Sequence, residues 1–161
     1  MDHVALYRHR QIGWTMLLSA LIPVAILAIA FEGAGGFAGQ AGKAVTALGP
    51  LVYLTLSVPI LLLLVFSSLE VSVDREQLTL RFGPGLVSKR FALAEIAHAV
   101  TTRTSFSQGW GIHRRGGVTL YNVSGFDAVK VEFRDGSTIL VGSNEAAMLA
   151  STLNRLITAP R

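Results

Sequence analysis

The sequence predicts a two-helix transmembrane hairpin followed by a mainly β domain of about seven antiparallel strands, capped by one C-terminal α-helix. Three observations predict it. The 161 residues are 51% hydrophobic and only 15% charged, with a mean hydropathy of +0.51, a balance typical of a membrane protein. The apolar residues are gathered in the first half, where no charge falls between Gln11 and Phe31 or between Ala44 and Leu69. From Glu70 onward apolar and polar residues alternate with period two, the mark of half-buried strands, until a last stretch takes up helical spacing.

Three segments follow: residues 1–12 as an N-terminal cytoplasmic segment, 13–69 as the hairpin and 70–161 as a cytoplasmic domain. Residues 13–31 and 50–69 supply 19 and 20 residues, which at about 1.5 Å each reach about 28 to 30 Å, the thickness of a bilayer's hydrocarbon. Pro50 suits a first helical turn, whereas Pro23 and Pro59 inside the spans predict kinks. Arg8 and Arg10 precede the first span, and Arg75, Arg81, Lys89 and Arg90 follow the second, against Lys43 alone between them. That distribution places both termini in the cytoplasm. The first run also fits a signal peptide, because Ala28-Ile29-Ala30 resembles a cleavage site; cleavage would leave one span.

Residues 32–43, EGAGGFAGQAGK, read as a flexible connection on the far side of the membrane. Within them Gly33-Ala34-Gly35-Gly36-Phe37-Ala38 matches a dinucleotide-binding spacing. It follows an apolar span instead of a strand and has no acid about 20 residues on, so it is discarded.

In the domain, Val71 and Val73 alternate with Glu70, Ser72 and Asp74, and Leu78, Leu80 and Phe82 alternate with Gln77, Thr79 and Arg81. Pairing Val73 with Leu78 and Val71 with Leu80 leaves a four-residue loop, Asp74-Arg75-Glu76-Gln77. Further strands are expected over 86–93, 96–103 and 118–123. A second hairpin sets Val129 opposite Val141 and Val131 opposite Ile139, which requires the loop Arg134-Asp135-Gly136 with Gly136 left-handed. A two-residue Asp-Gly turn would instead bring Lys130 and Glu132 onto the apolar face. Ser143 or Asn144 can cap the closing helix, Glu145 suits its first turn, and Leu149, Leu153, Leu156 and Ile157 form one apolar stripe.

Gly109-Trp110-Gly111-Ile112 with a basic neighbour, Tyr121-Asn122-Val123-Ser124-Gly125, a D-G hairpin and Val141-Gly142-Ser143-Asn144-Glu145 follow one another here. In this order the chain resembles small bacterial membrane proteins that carry a pleckstrin-homology-like (PH-like) domain behind two spans, a largely uncharacterised family. The resemblance implies a PH-like barrel plugged by its helix, set in the bacterial cytoplasmic (inner) membrane as a multi-pass protein. It implies no reaction. Inositol-phosphate binding does not carry over, since the first hairpin loop, Asp74 to Gln77, holds two acids and one base.

Little in the sequence points to catalysis. There is no cysteine, hence no disulfide and no thiolate metal site. His98 and His113 are 15 residues apart, and no pair of histidines has metal-ligand spacing, so neither metal nor cofactor is expected. His98 reads as a solvent-facing strand residue. Ser105, Ser107, His113 and Asp127 could be assembled on paper into a triad, but no nucleophile-elbow sequence surrounds either serine. Asn122-Val123-Ser124 fits a glycosylation acceptor, a modification a cytoplasmic bacterial domain would not receive.

Partners are read from the loops. In GWGIHRRGG the glycines serve turns, Trp110 and Ile112 close the barrel, and His113-Arg114-Arg115 forms a solvated tip. With no linker after Leu69, Arg114 and Arg115, extended by Lys89 and Arg90, are also candidates for anionic phospholipid headgroups, with Phe106 or Trp110 as interfacial aromatics. The expected partners are the lipid bilayer and a protein that docks on the barrel's edge or helix groove, with no nucleic acid: the pI near 10.0 comes from scattered bases. The leading function is a non-enzymatic interaction or scaffolding module; lipid docking and an enzyme are the alternatives.

Overall fold

A computed structural model describes residues 5–14, 63–105 and 111–159, together with positions 17, 18, 21, 22, 25, 29, 32, 33, 35–40, 42, 43, 47, 57, 60 and 61. The described residues form two sheets and a C-terminal helix. The first sheet has the order β1-β2-β3-β4, with β1 Tyr7–Ile12, β2 Ser68–Val73, β3 Gln77–Phe82 and β4 Val87–Ala92, all antiparallel. The second has the order β5-β8-β9-β7-β6, with β5 Ile96–Arg103, β6 Gly111–Arg115, β7 Val118–Asn122, β8 Asp127–Phe133 and β9 Thr138–Gly142. Helix α1, Ala146–Thr158, follows β9.

Both hairpin registers come out as the apolar alternation requires. Val71 faces Leu80 and Val73 faces Leu78, and Asp74 Oδ1 closes the turn by accepting from the backbone N–H groups of Glu76 and Gln77 at 2.7 and 2.8 Å. Val129 faces Val141 and Val131 faces Ile139, with Gly136 at φ +84°. One core results. Leu80, Val131 and Leu153 are fully buried and Ile139 nearly so. Rings from both sheets form a seam, Phe82 to Tyr121 at 6.3 Å, Tyr121 to Phe91 at 6.2 Å and Phe91 to Phe133 at 5.4 Å. Such tilted and edge-on contacts are favoured by aromatic quadrupoles.

The structure corrects several expectations. Among the described residues no helix is long and apolar enough to cross a membrane, so the two-helix transmembrane hairpin over 13–69 and the multi-pass inner-membrane placement do not stand. Hydropathy records that residues leave water, not what they meet, and part of this run meets the domain: Val65 is buried and Phe66 lies edge-on to Phe82 at 5.6 Å. The backbone N–H of Gly13 also bonds Ser67 O at 2.7 Å. Other described side chains of the stretch, such as Leu21, Ile29 and Leu61, are exposed. Pro23, Pro50, Pro59 and most of the suggested cleavage site lie outside the described residues.

Residues 7–12, part of the N-terminal segment, form an edge strand paired with β2, Tyr7 with Val73 through Ile12 with Ser68. The strand count is nine among the described residues, since β1 and β6 join the seven expected, and the pairing is not wholly antiparallel: β7 runs parallel to β9. The helix starts differently too. Ser143 Oγ accepts from Glu145 N at 3.1 Å, Asn144 turns to His9, and Glu145 itself occupies the cap position with no side-chain cap bond.

Candidate functional site

Strand β5 lies at one edge of the second sheet, with β8 on its inner side and α1 packed beside it. Its outer backbone groups therefore face the helix. At Ala99 they are satisfied by one side chain, as Asn154 Oδ1 accepts from Ala99 N at 3.0 Å and Asn154 Nδ2 donates to Ala99 O at 2.7 Å. Since strand residues alternate in the direction of their backbone groups, Thr101 and Arg103 also turn theirs away from β8. There the helix has not yet begun to cover the edge. A cleft of about 430 Å³ opens instead, lined by Thr101, Thr102, Arg103 and Asp127 on the sheet side and by Asn144, Ala146 and Ala147 on the helix side.

The helix side of this cleft is held by β1. His9 Nε2 lies 2.6 Å from Asn144 Oδ1, and His9 Nδ1 lies 3.2 Å from Glu145 Oε2. Tyr7 donates from its hydroxyl to the same carboxylate oxygen at 3.3 Å. Burial, with the Glu145 carboxylate adding to it and a hydrogen bond with Ser143 opposing it, pushes the Tyr7 phenol up to about 12. The N-terminal strand thus fixes Asn144 and the start of α1 relative to β5. On the sheet side Arg103 and Asp127 pair at 3.4 Å, but both side chains are more than half exposed, so the pair adds little stability. The cleft presents backbone donors and acceptors, one charge of each sign and small helix residues. Shape and hydrogen bonding, not reactive groups, are what it offers.

The residues singled out from the sequence are dispersed. Arg114 and Arg115 end β6 beside a two-residue turn, Gly116 and Gly117, both at positive φ as a tight hairpin requires. Consecutive strand residues project to opposite faces, so the two arginines do not form one patch. Lys89 and Arg90 follow one another on β4 in the other sheet, and they too project apart. Phe106 and Trp110 lie outside the described residues, as does Ser107. His113 and Asp127 belong to β6 and β8, which β7 and β9 separate. His98 is exposed, as expected of its alternation. Among the described residues no group of three or more His, Cys, Asp or Glu is placed to hold a metal ion.

Sequence reasoning overlooked Tyr7, His9 and Asn154. Only Asn154 carries a readable signal: four residues after the buried Ala150 and beside Leu153, it is a polar residue at the margin of the apolar stripe. No protein-family model, no curated protein and no solved structure matches the chain.

Proposed function

We propose that the chain is a non-enzymatic interaction module that takes an extended peptide of a partner protein along the outer edge of β5. The observation that supports this reading is the edge at Thr101 and Arg103, which opens into the cleft next to α1 while Asn154 closes the same edge at Ala99. A strand with unpaired outer groups is a template for another strand, and adding one satisfies backbone donors and acceptors at little cost in specificity of side chains. Asn154 limits how far such a peptide can run. Peptide side chains alternating toward the helix would meet the small Ala146 and Ala147, and those alternating outward would meet Arg103 and Asp127.

A proline at Thr101 tests the reading, because the amide it removes points away from β8 and the ladder within the sheet is left intact. Peptides selected on the full chain from a random library are expected to bind the wild type and to lose binding to Thr101→Pro at unchanged thermal stability. Selected peptides that bind both proteins equally would rule out the β5 edge.

A further inference from the structure

The solvent face of the first sheet carries an arrangement that the peptide reading does not use. Register places Arg10 opposite Glu70 and Glu70 opposite Arg81, a single row across β1, β2 and β3, with Arg8 two residues from Arg10 on the same face. These four side chains and residues 83–85 line a second cleft of about 220 Å³. Among the described residues its one acid is already engaged: Glu70 Oε2 pairs with Arg8 Nη2 at 3.0 Å. Arg10 donates from Nε and Nη2 to Ser68 Oγ at 3.2 and 3.0 Å, bonds that leave its charge uncompensated. Arg81 has no ion pair among the described residues. It lies against the turn instead, with Nη2 3.0 Å from where a Cβ on Gly85 would stand, so the glycine makes room for the guanidinium.

Three guanidinium groups around one carboxylate leave a net charge of +2 in one concavity, and like charges on neighbouring strand positions repel. We infer that Arg8, Arg10 and Arg81 form a binding site for a phosphoryl group, free or as a monoester. Planar guanidinium forks match the geometry of a dianionic tetrahedral oxyanion and bond it in pairs, whereas a single carboxylate could answer only one of them. The volume points the same way. It is below the range of about 300 to 1,000 Å³ usual for whole small-molecule ligands, so the cleft receives the anionic group and leaves any ester substituent outside. Glu70 competes with the ligand for Arg8 and sets the affinity.

Calorimetric titration of the full chain with inorganic phosphate and with phenyl phosphate, at matched low ionic strength in chloride, tests the site. One-to-one saturable binding is expected. Arg81→Gln and Arg10→Gln should each weaken it about tenfold or more, the loss of a charged hydrogen-bond pair. Glu70→Gln should tighten it by freeing Arg8. The double variant Arg114→Gln/Arg115→Gln, on the other sheet, and Thr101→Pro, at the peptide edge, should bind as the wild type does. Binding of both probes assigns the site to monoesters as well as the free anion; binding of inorganic phosphate alone assigns it to the free anion. The inference is overturned if neither probe saturates, if Arg81→Gln binds like the wild type, if Glu70→Gln binds more weakly, or if the Arg114/Arg115 variant loses as much as Arg81→Gln.

Discussion

Asn154 holds one residue of β5 by both of its backbone groups, donating to the carbonyl of Ala99 at 2.7 Å and accepting from its N–H at 3.0 Å. A side-chain amide has the same donor and acceptor pair as a peptide group, so it substitutes for one residue of a neighbouring strand. It ties the helix to the sheet edge and ends the open part of that edge. Asn154→Ala leaves two partly buried backbone groups without these bonds and is expected to destabilise the protein by about 1 to 3 kcal/mol. Asn154→Asp keeps an acceptor but presents a second acceptor to the Ala99 carbonyl, and should do no better. Urea denaturation decides it: a midpoint for Asn154→Ala equal to that of the wild type would show that the bracket contributes nothing.

Two glycines with left-handed backbone separate conformational cost from steric cost. Gly136, at φ +84°, has open space where a Cβ would stand, so Gly136→Ala should cost about 1 kcal/mol, the conformational penalty alone. Gly83, at φ +52°, would drive a Cβ into the backbone carbonyl oxygens of Val65 and Leu64. Backbone cannot step aside as a flexible side chain can. Gly83→Ala should therefore exceed Gly136→Ala by at least about 1 to 3 kcal/mol. Similar losses for the two variants would mean that residues 64–65 do not lie against this turn.

Much of the sheet was legible because its inward positions are aliphatic. Val71, Val73, Leu78 and Leu80 fix one register and Val129, Val131, Ile139 and Val141 the other, since a slip of one residue would turn every one of them to water. Strand β1 was not legible for the converse reason. Its inward residues are Tyr7, His9 and Gln11, whose polar ends reach Glu145, Asn144 and the carbonyl of Ser124, partners more than 100 residues away, and Gln11 Oε1 stays without a hydrogen-bond partner among the described residues. Strand β6 has Ile112 as its one aliphatic residue, and its glycines and arginines read as a loop. The apolar run before Glu70 misled in another way: hydropathy cannot distinguish a Val65 buried within the fold from a Val65 in a bilayer. Of the candidate site, the basic pairs were visible as residues, but not the strand positions that separate them. Arg8 and Arg10 were noticed for their charge alone, and only pairing with β2 brings them beside Arg81.

The packing of α1 supplies a third test. Leu153 is fully buried, with Leu149 one turn before it, and both face the sheet on the stripe predicted from spacing. Leu153→Ala removes a buried isobutyl group and leaves a cavity, for an expected cost of about 2 to 5 kcal/mol. Arg75→Ala, in the exposed turn between β2 and β3, should change stability by less than about 0.5 kcal/mol. Cooperative unfolding that survives Leu153→Asp unchanged would show that the helix is not part of the core.

The last prediction concerns alkaline pH and the contact between β1 and the start of α1. Tyr7 is nearly buried, and ionising it would place a phenolate 3.3 Å from the Glu145 carboxylate, which is why its phenol is held up to about 12 against an ordinary 10.0. The folded state therefore binds this proton more tightly than the unfolded state does. The sign follows: the contribution to stability is fully present below the unfolded value of 10.0 and is lost as pH rises toward about 12. Burial raises the Tyr121 phenol as well, so part of the alkaline loss belongs to it. Tyr7→Phe cannot ionise. Near neutrality it should be less stable than the wild type by about 0.5 to 1.5 kcal/mol, the value of one hydrogen bond. Above about pH 10 its stability should fall less steeply, so that the two curves converge. Tyr121→Phe should reduce the slope further. Urea midpoints taken at intervals from neutral to strongly alkaline pH check all three statements, and parallel curves for wild type and Tyr7→Phe would show that the phenol keeps its proton no better folded than unfolded.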